Sequence, residues 1–211
     1  TFCNLRSVVM NKIFFIKIIL LCLVSIKVNA KEKILLFGDS IMAGYGLPTE
    51  YHLSTVLEND LTSEGYNFEV INGSVSGSTS ANGLNRAEWS LSDSDISLII
   101  LCLGANDMLR GINPDETRTN LEKIIQIANK KKIKIILAGM LAPNSHGKIY
   151  KKKFDNVYPH LSKKYDLPLI PFLLKDVALK PDLNLNDGIH PNKKGTIIIS
   201  NTIKNKILEN I

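Results

Sequence analysis

From residue 31 onward the chain alternates short apolar runs with longer amphipathic ones. Residues 33–37 are an apolar run that ends in Gly38-Asp39-Ser40 and read as a buried strand. In residues 51–63 the apolar positions Leu53, Val56, Leu57 and Leu61 recur at helical spacing, and Gly65 follows as a stop. Residues 68–71 predict a second strand, residues 81–89 a short helix, and residues 96–103 the longest continuous apolar strand. Pro114 opens a helix to about residue 131, with Leu121, Ile124, Ile125 and Ala128 on one face. A strand over 134–138, a helix over 154–165, a strand over 167–170 and a helix over 193–209 complete the pattern.

Strands alternating with helices predict a parallel sheet covered on both faces, because parallel strands need crossovers and those crossovers pack on the sheet. The expectation is one three-layer α/β/α domain over residues 31–211, with no repeat or linker dividing it. Chemistry in such sheets gathers at the carboxyl ends of the strands, where strand order reverses. Polar and glycine-rich stretches directly after strands are therefore the places to look for a site.

Charge first points elsewhere. The 211 residues carry 26 basic and 20 acidic side chains, a formal +6 that invites a nucleic-acid reading. Four of the basic residues (Arg6, Lys12, Lys17, Lys27) lie in the first thirty, which hold no acidic one. Met10 reads as a start, the apolar run of residues 13–26 is short of the roughly 20 needed to span a membrane, and Val28-Asn29-Ala30 fits a signal-peptidase site. Residues 1–30 thus read as a signal peptide with an upstream extension over 1–9, which predicts export to the periplasm or beyond and no stable membrane anchor after cleavage. The remaining 22 basic and 20 acidic residues give +2. Their cations are mostly lysine runs such as residues 130–132 and 151–153, which read as solvated helix faces, so no nucleic-acid partner is expected. Only Cys102 survives such a cleavage, which excludes an intrachain disulfide.

Four blocks follow predicted strands. Gly38-Asp39-Ser40-Ile41 places a serine on a tight turn, able to project its hydroxyl as a nucleophile does. In Asn72–Ser80 the glycine Gly77 exposes a backbone N–H that can donate to an oxyanion, although the same loop also fits a phosphate cradle. Gly104-Ala105-Asn106-Asp107 offers the Asn106 amide as a second donor. In Asp187-Gly188-Ile189-His190 a carboxylate three residues before a histidine can bond ring Nδ1–H, which leaves Nε2 free to accept a proton from a serine. Asp187 and His190 could also ligate a metal, but His52, His146 and His160 lie in unrelated settings, so neither metal nor cofactor is expected.

These four blocks, in this order, resemble the signature blocks of the SGNH hydrolases, also called the GDSL esterase/lipase family. Ser74–Ser80, Asn106–Gly111, Leu169–Phe172 and Asp187–Asn192 are similar to its bacterial periplasmic thioesterase/lysophospholipase/arylesterase type. The pattern departs at Ile41, where the family name expects leucine, and at Ala105, which replaces a frequent glycine. The resemblance implies a flavodoxin-like five-stranded parallel sheet of order 2-1-3-4-5. It implies Ser40 as nucleophile, His190 as general base and Asp187 as its orienter. The oxyanion hole would be the Ser40 and Gly77 N–H groups plus the Asn106 side chain, with Asp39 a structural residue of the turn.

The implied substrates are small-molecule acyl esters, thioesters or lysophospholipids, and a monomer is expected. Met42, Leu109, Ile112, Leu141 and Pro143 lie in or beside the site loops and either line an acyl groove or pack beneath it. Two alternatives stay open: a carbohydrate-ester deacetylase of the same family, and a non-catalytic phosphate- or flavin-binding module of flavodoxin type.

Overall fold

The structure, a computed structural model, describes residues 31–210. The signal-peptide reading of residues 1–30 lies outside the described residues.

Five parallel strands form one sheet: β1 (Glu32–Gly38), β2 (Phe68–Asn72), β3 (Ile96–Cys102), β4 (Lys134–Ala138) and β5 (Leu169–Ile170). Their order is β2-β1-β3-β4-β5. The central strands are buried almost throughout, at Ile34–Gly38 in β1 and Leu98–Cys102 in β3, as a sheet covered on both faces requires. The strand expectations hold, with β5 reduced to two residues.

Eight α-helices are described: α1 (Ser40–Ala43), α2 (Leu53–Ser63), α3 (Ser80–Ser90), α4 (Ala105–Leu109), α5 (Pro114–Lys130), α6 (Lys148–Asp155), α7 (Val157–Tyr165) and α8 (Lys193–Leu208). Helices α2 and α8 pack together, as do α3 with α5 and α5 with α7, so helices cover both sides of the sheet. The Pro114 helix forms as its sequence predicts. Asn113 accepts from the Asp115 N–H, Asp115 and Glu116 occupy the first turn, Lys130 the last, and the predicted apolar face is buried. Ser200 on α8 donates to Asp60 on α2 at 2.7 Å, so the polar atoms between those helices are paired.

Two differences stand out. The short helices α1 and α4 occupy turns that the pattern leaves as loops. The single helix expected over 154–165 is two, broken at Asn156, with Pro159 in the first turn of α7 where its missing N–H costs no bond.

What matters for the site is the reversal of strand order at β1. The chain pairs β1 with β2 on one side, then crosses back to lay β3 on the other, in a register that sets Gly38 beside Cys102. The loops after β1 and β3 therefore start side by side. Both glycines there are required. A Cβ on Gly38 would lie 2.5 Å from Met42 Cγ and 2.7 Å from the Cys102 carbonyl. Gly104 has φ +121°, and a Cβ on it would collide with the hydroxyl of buried Tyr158, which donates to the Leu103 carbonyl at 2.9 Å.

Gly104→Ala therefore combines backbone strain with a clash against a buried, hydrogen-bonded hydroxyl. The expected loss is about 2–4 kcal/mol of unfolding free energy by urea denaturation. An unchanged midpoint would contradict the packing described.

Candidate active site

Ser40 is the first residue of α1, directly after β1. Asp39 caps that helix, its Oδ1 accepting from the Ile41 N–H at 3.2 Å. The turn leaves the Ser40 hydroxyl facing His190, whose Nε2 lies 2.9 Å from Oγ although the two residues are 150 apart in sequence.

His190 belongs to the loop before α8, and backbone bonds shape that loop. Leu185 N–H donates to the His190 carbonyl at 2.7 Å, Asn184 bridges Pro191, and Gly188 adopts φ +69°. Asp187 folds back on its own backbone. Its Oδ1 accepts from the N–H groups of Ile189 (2.9 Å) and His190 (3.0 Å), the local bonding for which aspartate is suited in turns. Its other oxygen lies 2.7 Å from His190 Nδ1. Because an ionised carboxylate only accepts, Nδ1 carries the proton and the Nε2 lone pair faces Ser40. The two backbone N–H bonds, followed by the imidazole, hold the Asp187 carboxyl down at about 2.

The loop after β2 is stitched to the same corner. Ser74 Oγ accepts from the Gly38 N–H at 3.0 Å and donates to the Leu36 carbonyl at 2.9 Å, and Val75 N–H donates to the Gly38 carbonyl. Gly77 sits at φ +77°, with its carbonyl taking a bond from Arg110 at 3.0 Å. Asn106, on α4, directs Nδ2 toward the Ser78 carbonyl at 3.1 Å and toward Asp39 Oδ2 at 3.4 Å. All four sequence blocks thus meet at the carboxyl ends of β1 and β3.

Three hydroxyls of this loop are engaged within the protein: Ser74 is bonded to β1, Thr79 caps α3, and Ser80 binds Asp107, while Ser76 is exposed. Among the described residues no group of three or more histidines, cysteines and carboxylates is arranged to hold a metal ion.

Asp39 is a buried carboxylate of a different kind. Only 1% exposed, it is pushed up to about 6 by desolvation, against the opposing pull of the Ile41 N–H, His190 and Asn106.

The expected groove residues divide. Met42 is fully buried beneath Gly38 and has no surface to offer a ligand, which corrects its assignment to a groove. Leu109 is 56% exposed and stands one turn beyond Asn106 on α4, while Leu141 and Pro143 are exposed and Ile112 half-buried. The stretch from Leu141 into α6 is tied to α4 and the loop after it: His146 Nε2 bonds the Met108 carbonyl at 2.9 Å, and Tyr150 on α6 donates to the Ile112 carbonyl at 2.8 Å.

Three residues of the corner escaped the sequence reading. Asp107, 1% exposed, accepts from Ser80 N–H at 2.7 Å, from the Ser80 hydroxyl, and from Thr117 at 3.1 Å, clamping the second block to the third. Arg86 donates to the carbonyls of Gly73 (2.6 Å) and Gly38 (3.1 Å) with its guanidinium 3.8 Å above the Phe37 ring. Tyr45 packs its ring on His190, centroids 4.5 Å apart. Asp107 stood in a quoted motif, but nothing local marks its partners, and the other two carry no motif signal.

Comparison with known proteins identifies the family. Residues 36–196 match the model of the GDSL-like Lipase/Acylhydrolase family. An arylesterase of Vibrio mimicus is 34% identical over 87% of this chain and 92% of its own length. Thioesterase 1/protease 1/lysophospholipase L1 of Escherichia coli (strain K12) is 34% identical over 82% of each chain. The crystal structure of TesA superposes with a TM-score of 0.81 at 32% identity, covering 85% of this chain and all of the other. With four co-ordered blocks meeting at one corner of a matching fold, the chain belongs to the GDSL-like Lipase/Acylhydrolase family.

Proposed function

We propose that this protein hydrolyses carboxylic esters and thioesters, lysophospholipids among them, with Ser40 as nucleophile and an acyl-enzyme intermediate. The observation that carries the reading is the unbroken chain Asp187–His190–Ser40, with links of 2.7 and 2.9 Å. The arylesterase and thioesterase/lysophospholipase relatives support the same substrate classes.

The chemistry follows from what each group can donate or accept. Ser40 Oγ attacks the acyl carbonyl as its proton passes to His190 Nε2. The imidazolium so formed is held by Asp187, which stays ionised down to about pH 2 and is therefore charged throughout the working range. The backbone N–H groups of Ser40 and Gly77 and the Asn106 amide are the oxyanion donors in this reading. His190 returns the proton to the departing oxygen or sulfur, and water repeats the cycle to release the acid. Leu109 and Leu141, exposed beside Asn106 and the loop after it, accept the acyl chain. Residues 1–30 are the export leader in this proposal, and the enzyme acts in the periplasm or outside the cell.

Ser40→Ala is expected to abolish hydrolysis of short p-nitrophenyl esters and labelling by a fluorophosphonate probe. Asn106→Ala removes one oxyanion donor and should lower kcat about 10²–10³-fold. Near-full hydrolysis by Ser40→Ala would sink the mechanism.

Asp39 gives a pH signature. Its folded-state value of about 6 lies above the unfolded 3.8, so between about pH 4 and 6 the folded chain binds the extra proton. Stability from this group is present at the acid end and falls as the pH rises through that window, by up to about 3 kcal/mol. Urea unfolding of wild type and Asp39→Asn at pH 4 and pH 7 should show wild type losing ground to the variant at the higher pH. A constant difference rules the shift out.

The leader reading has its own check. Sequencing the amino terminus of protein recovered outside the cytoplasm should begin at Lys31, whereas recovery of an intact leader there would refute cleavage.

A further inference from the structure

Positive charge is not spread evenly over the chain. Residues 140–165 contain six lysines and one acidic residue, Asp155, whereas the rest of residues 31–211 holds 16 basic and 19 acidic side chains. This one stretch therefore makes an otherwise slightly acidic molecule positive. Charge gathered on one part of a surface is a directional field that draws an acidic partner.

Four of the six lysines lie on α6, and the helical turn sorts them. Buried Phe154 and half-buried Tyr150 hold the inner face to the protein, their rings stacked with centroids 6.1 Å apart. Lys151 is drawn back onto the chain, donating to the Ala142 carbonyl at 2.6 Å and to Asp155 at 2.7 Å. Asp155 accepts from the Ala142 N–H at 2.9 Å with its other oxygen, so the single carboxylate of the stretch is engaged locally. Lys148, Lys152 and Lys153 are exposed. Among the described residues no carboxylate pairs with Lys148 or Lys152, and Lys153 reaches only Asp115, at 3.5 Å, which also pairs with Arg118 at 3.2 Å.

Amid these three cations stands Ile149, 80% exposed. At 3.6 residues per turn it falls between Lys152 and Lys153 on the outer arc of the helix, one turn before both. A lone exposed isoleucine is ordinary on a surface. One ringed by lysines without strong partners is the arrangement of a helix lying in a lipid interface, where the apolar side chain enters and the long cationic stems reach to the headgroups. The composition separates this occupant from others. Protein interfaces are depleted in lysine, and residues 140–165 contain no arginine for the forked contacts that recognise individual phosphates or bases. A compact ammonium group suits a surface on which the negative charge is averaged over many lipids.

We propose that the outer face of α6 is a docking surface for a membrane containing anionic phospholipid, with Ile149 entering the headgroup layer and Lys148, Lys152 and Lys153 lying over the lipid phosphates. The start of this helix is tied to the proposed active site. His146 bonds the Met108 carbonyl of α4, and Tyr150 donates to the Ile112 carbonyl just beyond it, while α4 itself carries Asn106 and exposed Leu109. Docking through α6 therefore presents the acyl side of the site to the lipid from which an acyl substrate would come. That consequence rests on the Ser40 reading; the docking surface does not.

Binding is measured with Ser40→Ala protein, which leaves lipid intact, by co-sedimentation with vesicles of phosphatidylcholine alone or mixed in equal parts with phosphatidylglycerol. The protein should sediment with the mixed vesicles and stay in solution with the neutral ones. A lysine beside an anionic membrane contributes about fivefold to partitioning, so replacing Lys148, Lys152 and Lys153 together by glutamine should weaken binding roughly 100-fold. Ile149→Ser should weaken it about tenfold, and Ile149→Leu should keep it within about twofold. Raising salt from about 0.01 M to 1 M shortens the screening length from about 30 Å to 3 Å and should release the protein. In protein that retains Ser40, none of these α6 substitutions should change hydrolysis of a short water-soluble p-nitrophenyl ester. Failure to sediment with the mixed vesicles, or equal sedimentation of the triple glutamine variant, overturns the proposal. So does binding that needs the lysines but is indifferent to Ile149→Ser, which marks a surface for any polyanion. Failure of the serine reading looks different: Ser40→Ala would still hydrolyse the soluble ester, whatever its affinity for vesicles.

Discussion

The parallel pairing of β1 with β3 is the constraint on which the remainder of the structure depends. Because the chain lays β2 on one flank of β1 and β3 on the other, the carboxyl ends of β1 and β3 lie side by side with Gly38 opposite Cys102. Two loops that must both turn sharply are thereby started from adjacent points. Their convergence concentrates backbone polar groups in a poorly solvated corner, and such groups are costly unless bonded. The side chains of Ser74, Arg86, Asp107 and Tyr158 meet that demand, each bonded to backbone in or beside one of the blocks. Their distance in sequence from the groups they satisfy is what makes the corner rigid: moving one loop breaks bonds on another.

Within that corner, two aspartates flanking the same serine and histidine are driven in opposite directions. Asp187 is partly exposed and receives three donors, so its charge is stabilised. Asp39 is buried, and desolvation outweighs its few bonds. The consequence is a division by sign. A fixed negative charge sits behind Nδ1, where an imidazolium needs it. On the opposite side the buried Asp39 carboxyl, 3.4 Å from Asn106 Nδ2, keeps its proton up to about pH 6. Side chains of one chemical type are thus driven apart, by hydrogen-bond donors at Asp187 and by desolvation at Asp39.

Most of the fold was legible because period and punctuation agree with packing. The strand of residues 96–103 and the Pro114 helix are long enough for their apolar pattern to have one reading, and β3 and α5 follow it closely. Helices of four or five residues such as α1 and α4 carry no period, and contacts made after folding hold them. The four blocks were legible because each sits just after a strand or before a helix, where topology collects chemistry. Met42 shows the limit. An apolar residue next to a nucleophile reads the same whether it faces a groove or the core, and only the glycine above it, packed to 2.5 Å, decides for the core. Tyr45, Arg86 and Asp107 act on residues 10 to 145 positions away, and one sequence gives no local sign of such partners.

The residues of the corner therefore fall into two physical classes with different freedom to vary. Those that hold the blocks together are bonded across the corner, and altering one leaves an unpaired polar group or a clash, which typically costs about 1–3 kcal/mol or as much again in strain. Those proposed to meet the acyl chain, Leu109 and Leu141, are exposed by 40% or more. Exposed positions of that kind usually change stability by less than about 0.5 kcal/mol when substituted. The corner is thus anchored in the scaffold, while the proposed acyl-side wall is carried by side chains that the scaffold does not need. A fold arranged in this way can change which ester it prefers without disturbing the serine, the imidazole or the bonds that orient them.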